Sequence, residues 1–141
     1  MNLDLKNKNA IVCGSTQGIG QATAIELANL GANITLIARN ESKLKEVMKS
    51  LSITKGQRHS LLVVDFSESN SFEEKIEELS TTYHILINNT GGPAGGLIID
   101  ANTKSFEDAF KMHLINNQLL VQKVVEGMKK ECFGRIINIL S

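Results

Sequence analysis

The chain has 141 residues, of which 15 are basic and 15 acidic, so its formal net charge is zero. This length corresponds to one domain, and the balanced charge disfavours a broadly basic nucleic-acid-binding protein. The hydrophobic content of 42% is ordinary for a folded core. No apolar run approaches the ~20 residues of a membrane span, so we expect no membrane segment.

The N-terminal segment and the two cysteines favour a cytoplasmic protein. The segment from Met1 to Lys6 has no basic stretch leading into a long apolar one, so no secretory signal is predicted. Cys13 and Cys132 are too few for a disulfide framework and form no C-x-x-C pair. No cluster of histidine and cysteine has zinc spacing. We therefore expect free thiols in a reducing cytosol and no metal site.

Five short apolar runs predict five β-strands. These runs are rich in β-branched residues and are bounded by residues such as Gly14, Asp65 and Asn88, which favours strands over helices. The predicted strands lie at 10–13, 34–38, 61–64, 85–87 and 136–140.

Amphipathic segments alternate with these strands and predict the helices. The first helix is predicted over 21–30, ending before Gly31, a residue that tolerates the left-handed conformation after a helix. The second carries apolar residues at a helical spacing, namely Leu44, Val47, Met48 and Leu51.

Two further helices are predicted in the second half of the chain. Ser71 and Glu74 have the spacing of a capping box, and the apolar pattern after them continues to Leu79. A long helix is predicted from Thr103 to about Lys130. The alternation of apolar strands with helices predicts an α/β fold, a doubly wound parallel sheet covered on both faces. The glycine-rich loop at 90–96 leaves the fourth strand where such sheets bind ligands.

The segment Gly14-Ser15-Thr16-Gln17-Gly18-Ile19-Gly20 joins the first strand to the first helix. In a dinucleotide site, Gly14 permits the tight turn, Gly18 the backbone approach to a pyrophosphate, and Gly20 close packing of helix on strand. The helix N-terminus adds unpaired N–H donors and the positive end of its dipole. The alternative is a glycine cluster that only forms a turn and a helix cap. We predict cofactor contacts at Gly14, Ser15, Gln17, Gly18, Ile19 and Gly20.

A second determinant of the cofactor is expected at the end of the second strand. An acidic residue there binds the ribose 2′-hydroxyl of NAD, whereas an arginine accommodates a 2′-phosphate. The sequence has Arg39, and no carboxylate comes before Glu41. Arg39 therefore favours NADP(H), with NAD(H) as the alternative cofactor. An arginine that is merely solvated at the surface is the competing interpretation.

These motifs resemble the short-chain dehydrogenase/reductase family. The spacing Gly14-x-x-x-Gly18-x-Gly20 is similar to its glycine motif, and three segments follow in the family's order. They are Asp65-Phe66 after strand three, Asn88-Asn89-Thr90-Gly91 after strand four, and Gly134 to Ser141, which resembles the strand carrying the catalytic serine. The resemblance covers essentially the whole chain, and bacterial 3-oxoacyl-acyl-carrier-protein reductases are the most similar members.

The resemblance implies a Rossmann-type fold with strand order 3-2-1-4-5, present as one incomplete NAD(P)-binding domain over 1–141. It implies hydride transfer to a carbonyl group of a small-molecule or acyl-carrier-linked substrate. It also implies a homo-oligomer formed through the helix between Thr103 and Lys130. Cofactor contacts are carried over to Asp65, Phe66, Asn88, Asn89, Thr90 and Gly91, and catalytic roles to Ser141 and His113.

Three positions depart from the family pattern. Cys13 stands where the family has threonine, Thr90 where it has alanine, and His113 where it has an asparagine that helps to hold a water relay. A histidine can donate and accept hydrogen bonds, so His113 fits such a relay. The alternative is a histidine that, beside Asn117, is only hydrogen-bonded on a mostly apolar helix face.

The family's Tyr-x-x-x-Lys motif, which supplies the proton, is missing. Tyr83 is the only tyrosine, and Ile87 rather than lysine stands four residues after it. We expect either the N-terminal part of a longer reductase, inactive by itself, or a catalytically inert nucleotide-binding module. A flavodoxin-like or phosphate-binding domain is a third hypothesis, which the motifs after strands four and five disfavour.

Overall fold

The computed structural model describes residues 3–92 and 95–140. These residues form one sheet of five strands with the order β3-β2-β1-β4-β5, in which every neighbouring pair is parallel. The strands are β1 (Asn9–Cys13), β2 (Asn33–Ala38), β3 (Ser60–Val63), β4 (Ile85–Asn88) and β5 (Arg135–Asn138). The predicted α/β fold and strand order are confirmed, although the fifth strand ends two residues earlier than expected.

Helices connect the strands, as parallel neighbours require. They are α1 (Gly18–Asn29), α2 (Glu41–Ser50), α3 (Ser69–Ile76), α4 (Thr103–Phe110) and α5 (Asn116–Lys130). A 3₁₀ turn at Ile98–Asp100 precedes α4. In the described part of the chain, no helix combines the length and the apolar character needed to cross a membrane.

Alternate strand residues face opposite sides of the sheet, and the helices divide accordingly. Val12 and Leu36 pack in one apolar cluster with residues of α1 and α2. Ile11 and Ile37 pack in the other cluster with residues of α3 and α5. Since both faces of β1, β2 and β4 are covered, these strands are mostly apolar rather than alternating in polarity, whereas β5 is exposed.

The capping box predicted at Ser71 and Glu74 is wrong. The N-cap of the helix is Glu68, three residues before Ser71, because the Glu68 carbonyl already accepts the Phe72 N–H at 2.9 Å. The Ser71 hydroxyl donates to the same carbonyl at 3.0 Å and therefore lies within the first turn. The helix also ends at Ile76, so Leu79 is buried beyond it rather than in it.

The long helix predicted from Thr103 to Lys130 has the expected ends but is not uniform. A π-helical turn at Lys111–Ile115 separates α4 from α5. Apolar spacing could not reveal this turn, because Phe106, Phe110 and Leu114 repeat every four residues through it. A π-turn inside an α-helix is frequently found at a functional site.

Candidate functional site

A cleft of about 530 Å³ opens at the carboxyl ends of the first four strands. In this sheet β1 lies between β2 and β4, so the strand order reverses at β1. The cleft lies at this reversal, which is the place where open α/β sheets bind ligands. The loop after β1, the ends of β2, β3 and β4, and Met112 of the π-turn line it. The structure therefore brings together segments that are up to about a hundred residues apart in the sequence.

The three glycines of the first loop have different surroundings. Gly14 has φ +59°, and a Cβ there would overlap the carbonyl oxygen of Asn89. A Cβ at Gly20 would overlap the carbonyl oxygen of Gly14. Gly18 also has a positive φ of +53°, but a Cβ there would meet nothing within 4 Å. Two glycines thus allow close packing, while the third borders free space in the cleft, as a phosphate cradle requires.

The predicted cofactor residues divide into two groups in the structure. Those that line the cleft are Gly14, Gln17, Gly18, Ile19, Arg39, Asp65, Phe66, Asn89, Thr90 and Gly91. Ser15, Gly20 and Asn88 do not line it. The buried Ser15 hydroxyl donates to the Ile37 carbonyl at 3.5 Å, and the buried Asn88 amide donates to Asn138 Oδ1 at 2.8 Å. These residues support the cleft from behind.

Charged groups meet at the β2 and β3 ends of the cleft. The Asp65 carboxylate accepts hydrogen bonds from the Ser67 N–H at 2.9 Å and the Ser67 hydroxyl at 2.7 Å. These bonds, with a smaller effect of the Arg39 charge, hold the pKa of Asp65 below its usual range. The Arg39 side chain is 79% exposed, and its guanidinium lies 3.9 Å from the Asp65 carboxylate. The carboxylate is thus ionised at neutral pH and oriented at the cleft wall.

Thr90 and His113, two of the family departures, form one hydrogen-bonded pair. The Thr90 hydroxyl lies 2.9 Å from His113 Nδ1. Thr90 lines the cleft, whereas His113 lies behind it, with its Nε2 buried and without a partner among the described residues. His113 therefore reaches the cleft through the threonine hydroxyl. The other residue predicted as catalytic, Ser141, lies outside the described residues.

Cys13 and Tyr83 do not line the cleft. The Cys13 thiol is fully buried, and burial raises its pKa to about 12, so it is not a nucleophile. The buried Tyr83 hydroxyl lies 3.2 Å from Thr35 Oγ1, in the core beneath α3 and α5. The structure thus agrees with the sequence in keeping Tyr83 out of the cleft.

Sequence reasoning missed several cleft residues, among them Thr16, Asn40, Lys43, Ser67 and Met112. A usable signal existed for Lys43, because Asn40 has the character of a helix N-cap and Lys43 follows three positions later. No comparable signal marked Met112, whose approach depends on the path of the π-turn.

A family model described as short chain dehydrogenase matches residues 8–141. Among curated relatives, the human inactive hydroxysteroid dehydrogenase-like protein 1 is 35% identical over 94% of this chain and 41% of its own length. The 3-oxoacyl-acyl-carrier-protein reductase of Aquifex aeolicus is 31% identical over 100% of this chain and 58% of its own length. The chain thus spans about half the length of the relatives it matches.

Solved structures show the same architecture. L-Sorbose reductase from Gluconobacter frateurii, complexed with NADPH and L-sorbose, superposes with a TM-score of 0.83 at 28% identity, over 96% of this chain and 53% of that one. A metagenomic short-chain oxidoreductase in complex with NADP gives a TM-score of 0.81 at 29% identity, over 97% and 63% of the two chains. A family match over nearly the whole sequence, joined to this shared fold, shows that the chain belongs to the short-chain dehydrogenase/reductase family.

Proposed function

We propose that the chain is the dinucleotide-binding part of a cytoplasmic, NADP(H)-dependent oxidoreductase that transfers hydride to a carbonyl substrate. The observation that carries the proposal is the meeting of two turns in one cleft. Gly14 packs against Asn89 too closely for any side chain, while Gly18 beside it leaves space free for a ligand. The relatives complexed with NADPH and NADP support the choice of cofactor.

The lining residues have the chemistry to hold such a dinucleotide. The backbone around Gly18 and the positive N-terminus of α1 suit the diphosphate. We assign the adenine to Asp65 and Phe66, and the 2′-phosphate side to Arg39. Asn89, Thr90 and Gly91 border the remainder of the cleft. A bound nicotinamide would supply the hydride, the cleft residues would position it, and Ser141 would hydrogen-bond the substrate oxygen.

The substrate that we propose is a ketone, either a small molecule or a 3-oxoacyl group on a carrier. The 141 residues contain no Tyr-x-x-x-Lys, so we propose that they bind the dinucleotide without completing the reaction alone. A second candidate is a catalytically inert nucleotide-binding module. Similarity to a human protein whose name calls it inactive supports that second candidate.

Competition binding tests the proposed cofactor. The chain is titrated with NADPH, followed by its fluorescence, and then challenged with FMN and with inorganic phosphate. We expect NADPH to bind and both competitors to fail to displace it at equal concentration. Displacement by FMN would instead indicate a flavin-binding module, and displacement by phosphate a phosphate-binding one.

The preference for NADP(H) has its own test. Arg39→Ala should weaken NADPH by several-fold and NADH little, because the guanidinium contacts a group present only on NADPH. Isothermal titration with both cofactors measures the two changes. Equal losses for both would exclude a role for Arg39 at the 2′-phosphate.

A further inference from the structure

One buried side chain of α5 fastens the loop that follows β3. The Asn116 Nδ2 donates a hydrogen bond of 2.6 Å to the Phe66 carbonyl, which lies 50 residues away in the sequence. Asp65, Phe66 and Ser67 of this loop line the cleft. Among the described residues, this is the only hydrogen bond that joins residues 65–67 to a distant segment, because the bonds between Asp65 and Ser67 stay within the loop.

The direction of the Asn116 side chain depends on the π-turn before it. Asn116 is the first residue of α5 and directly follows the π-turn at Lys111–Ile115. A π-turn takes up about one residue more than an α-helical turn, which rotates every later side chain by ~100° around the helix axis. Relative to α4, Asn116 therefore points where Ile115 would point in a continuous helix.

The surroundings of Asn116 make an amide costly at this position. Asn116 is fully buried, and the later buried positions of α5 are apolar, namely Leu120, Val124 and Met128. The Asn116 Oδ1 is buried and has no hydrogen-bond partner among the described residues. A buried amide with an unpaired oxygen is destabilising relative to an apolar side chain of similar size. The benefit of asparagine here therefore lies in the bond to Phe66 rather than in packing.

We infer that Asn116 is a positioning residue for the adenine side of the cleft, because it holds the Phe66 carbonyl and the loop at 65–67 in the geometry that binds adenine. The inference rests on the proposed function, which assigns the adenine to Asp65 and Phe66. Asn116 does not line the cleft itself, so it acts through the loop rather than by contact with the ligand. The remainder of the dinucleotide borders the turn after β4, which has no hydrogen bond to Asn116 among the described residues.

Titration with the two halves of the dinucleotide, followed by NMR chemical shifts so that weak binding is measured, tests the inference. Adenosine 2′,5′-bisphosphate represents the adenine half, and nicotinamide mononucleotide the other half. In Asn116→Leu, whose apolar side chain suits the buried site, affinity for the bisphosphate should fall about five- to tenfold, the effect of one lost hydrogen bond. Affinity for the mononucleotide should change less than about twofold. Asn116→Asp, which keeps the size but loses the amide donor, should show the same contrast.

Amide hydrogen exchange provides a second readout of the position of the loop. The Ser67 and Glu68 N–H groups both donate to Asp65, within the loop that Asn116 fastens. In Asn116→Leu their exchange should become faster, because the loop is released from α5, while exchange in β1 should stay unchanged. Unchanged exchange at Ser67 and Glu68 would contradict the positioning role.

Asn117→Leu is the matched control, because it replaces the neighbouring amide, whose Oδ1 is also buried and without a partner among the described residues. It should leave the affinity for both halves unchanged. Equal losses for the two halves in Asn116→Leu, or no loss for the bisphosphate, would overturn the inference while leaving the proposed function intact. A wild-type chain that binds neither half and no NADP(H) would overturn both.

Discussion

The first loop shows how single residues build the site. Gly14 and Gly20 have no room for a side chain, because backbone carbonyls occupy the positions of their missing Cβ atoms. Gly18 has room, and its constraint is the left-handed backbone and the ligand space beside it. One motif therefore contains two different requirements for glycine, packing and access.

Gly18→Val separates these requirements. The variant should lose at least tenfold in NADPH affinity, because the side chain enters the space that a diphosphate needs, in addition to a backbone strain of about 1 kcal/mol. Titration with NADPH measures the loss. Gly56→Val is the control, since Gly56 also has a positive φ, of +82°, and open surroundings but does not line the cleft. Similar affinity losses in both variants would attribute the effect to strain alone.

At the scale of elements, His84 links β1, β4 and β5 at their amino-terminal ends, opposite the cleft. Its ring Nδ1 accepts the Asn9 backbone N–H at 3.0 Å. Its backbone N–H donates to the Asn9 carbonyl at 2.8 Å, and its backbone carbonyl accepts the Arg135 N–H at 2.9 Å. Burial, helped by the charge of Lys8, lowers the pKa of His84 below the usual 6.5. The neutral ring is therefore part of the junction between β1, β4 and β5.

This junction predicts a pH-dependent stability. A histidine with a lowered pKa binds its proton more readily in the unfolded chain, so protonation favours unfolding. Stability should be complete above about pH 6.5 and should fall as the pH drops below it, towards the lowered pKa. Urea unfolding at several pH values, with His84→Gln for comparison, measures the slope. An unchanged slope in that variant would contradict the role of His84.

At the scale of the whole molecule, the described residues include at least two exposed apolar surfaces. One is the outer edge of β5, where Ile136 and Ile137 are 38% and 47% exposed. The other, formed by α4 and the π-turn, presents Phe106, Phe110 and Leu114, each more than half exposed. Exposed strand edges and apolar patches of this kind favour association with another chain.

We expect the 141-residue chain to self-associate. Sedimentation velocity over a range of concentrations should show dimers or larger species. If the chains associate through the β5 edge, Ile137→Lys should reduce the association. If they associate through the face of α4 and the π-turn, Phe110→Glu should reduce it. Ile53→Lys, a substitution at another exposed apolar residue, is the control. A monomer at every concentration would contradict a role of either surface in association.

The sequence predicted the fold well because its signals are local. Apolar runs and helical spacings located the strands to within two residues, and the alternation implied a parallel sheet. It failed at Ser71, where a capping box occurred inside a helix turn begun by Glu68, and at the π-turn, where the apolar spacing is unchanged. Both errors thus arose where the same sequence pattern is compatible with two backbone conformations.

For the candidate site, the sequence by itself predicted the glycine loop, Arg39 and the Asn88-Asn89-Thr90-Gly91 turn, because each prediction depends on residue type and on a place after a strand. Only the tertiary structure decided that Asn89 packs on Gly14, that Thr90 pairs with His113, and that Arg39 faces Asp65. The physical reason is that these contacts join segments that are distant along the chain, and their distances are set by how helices pack on the sheet.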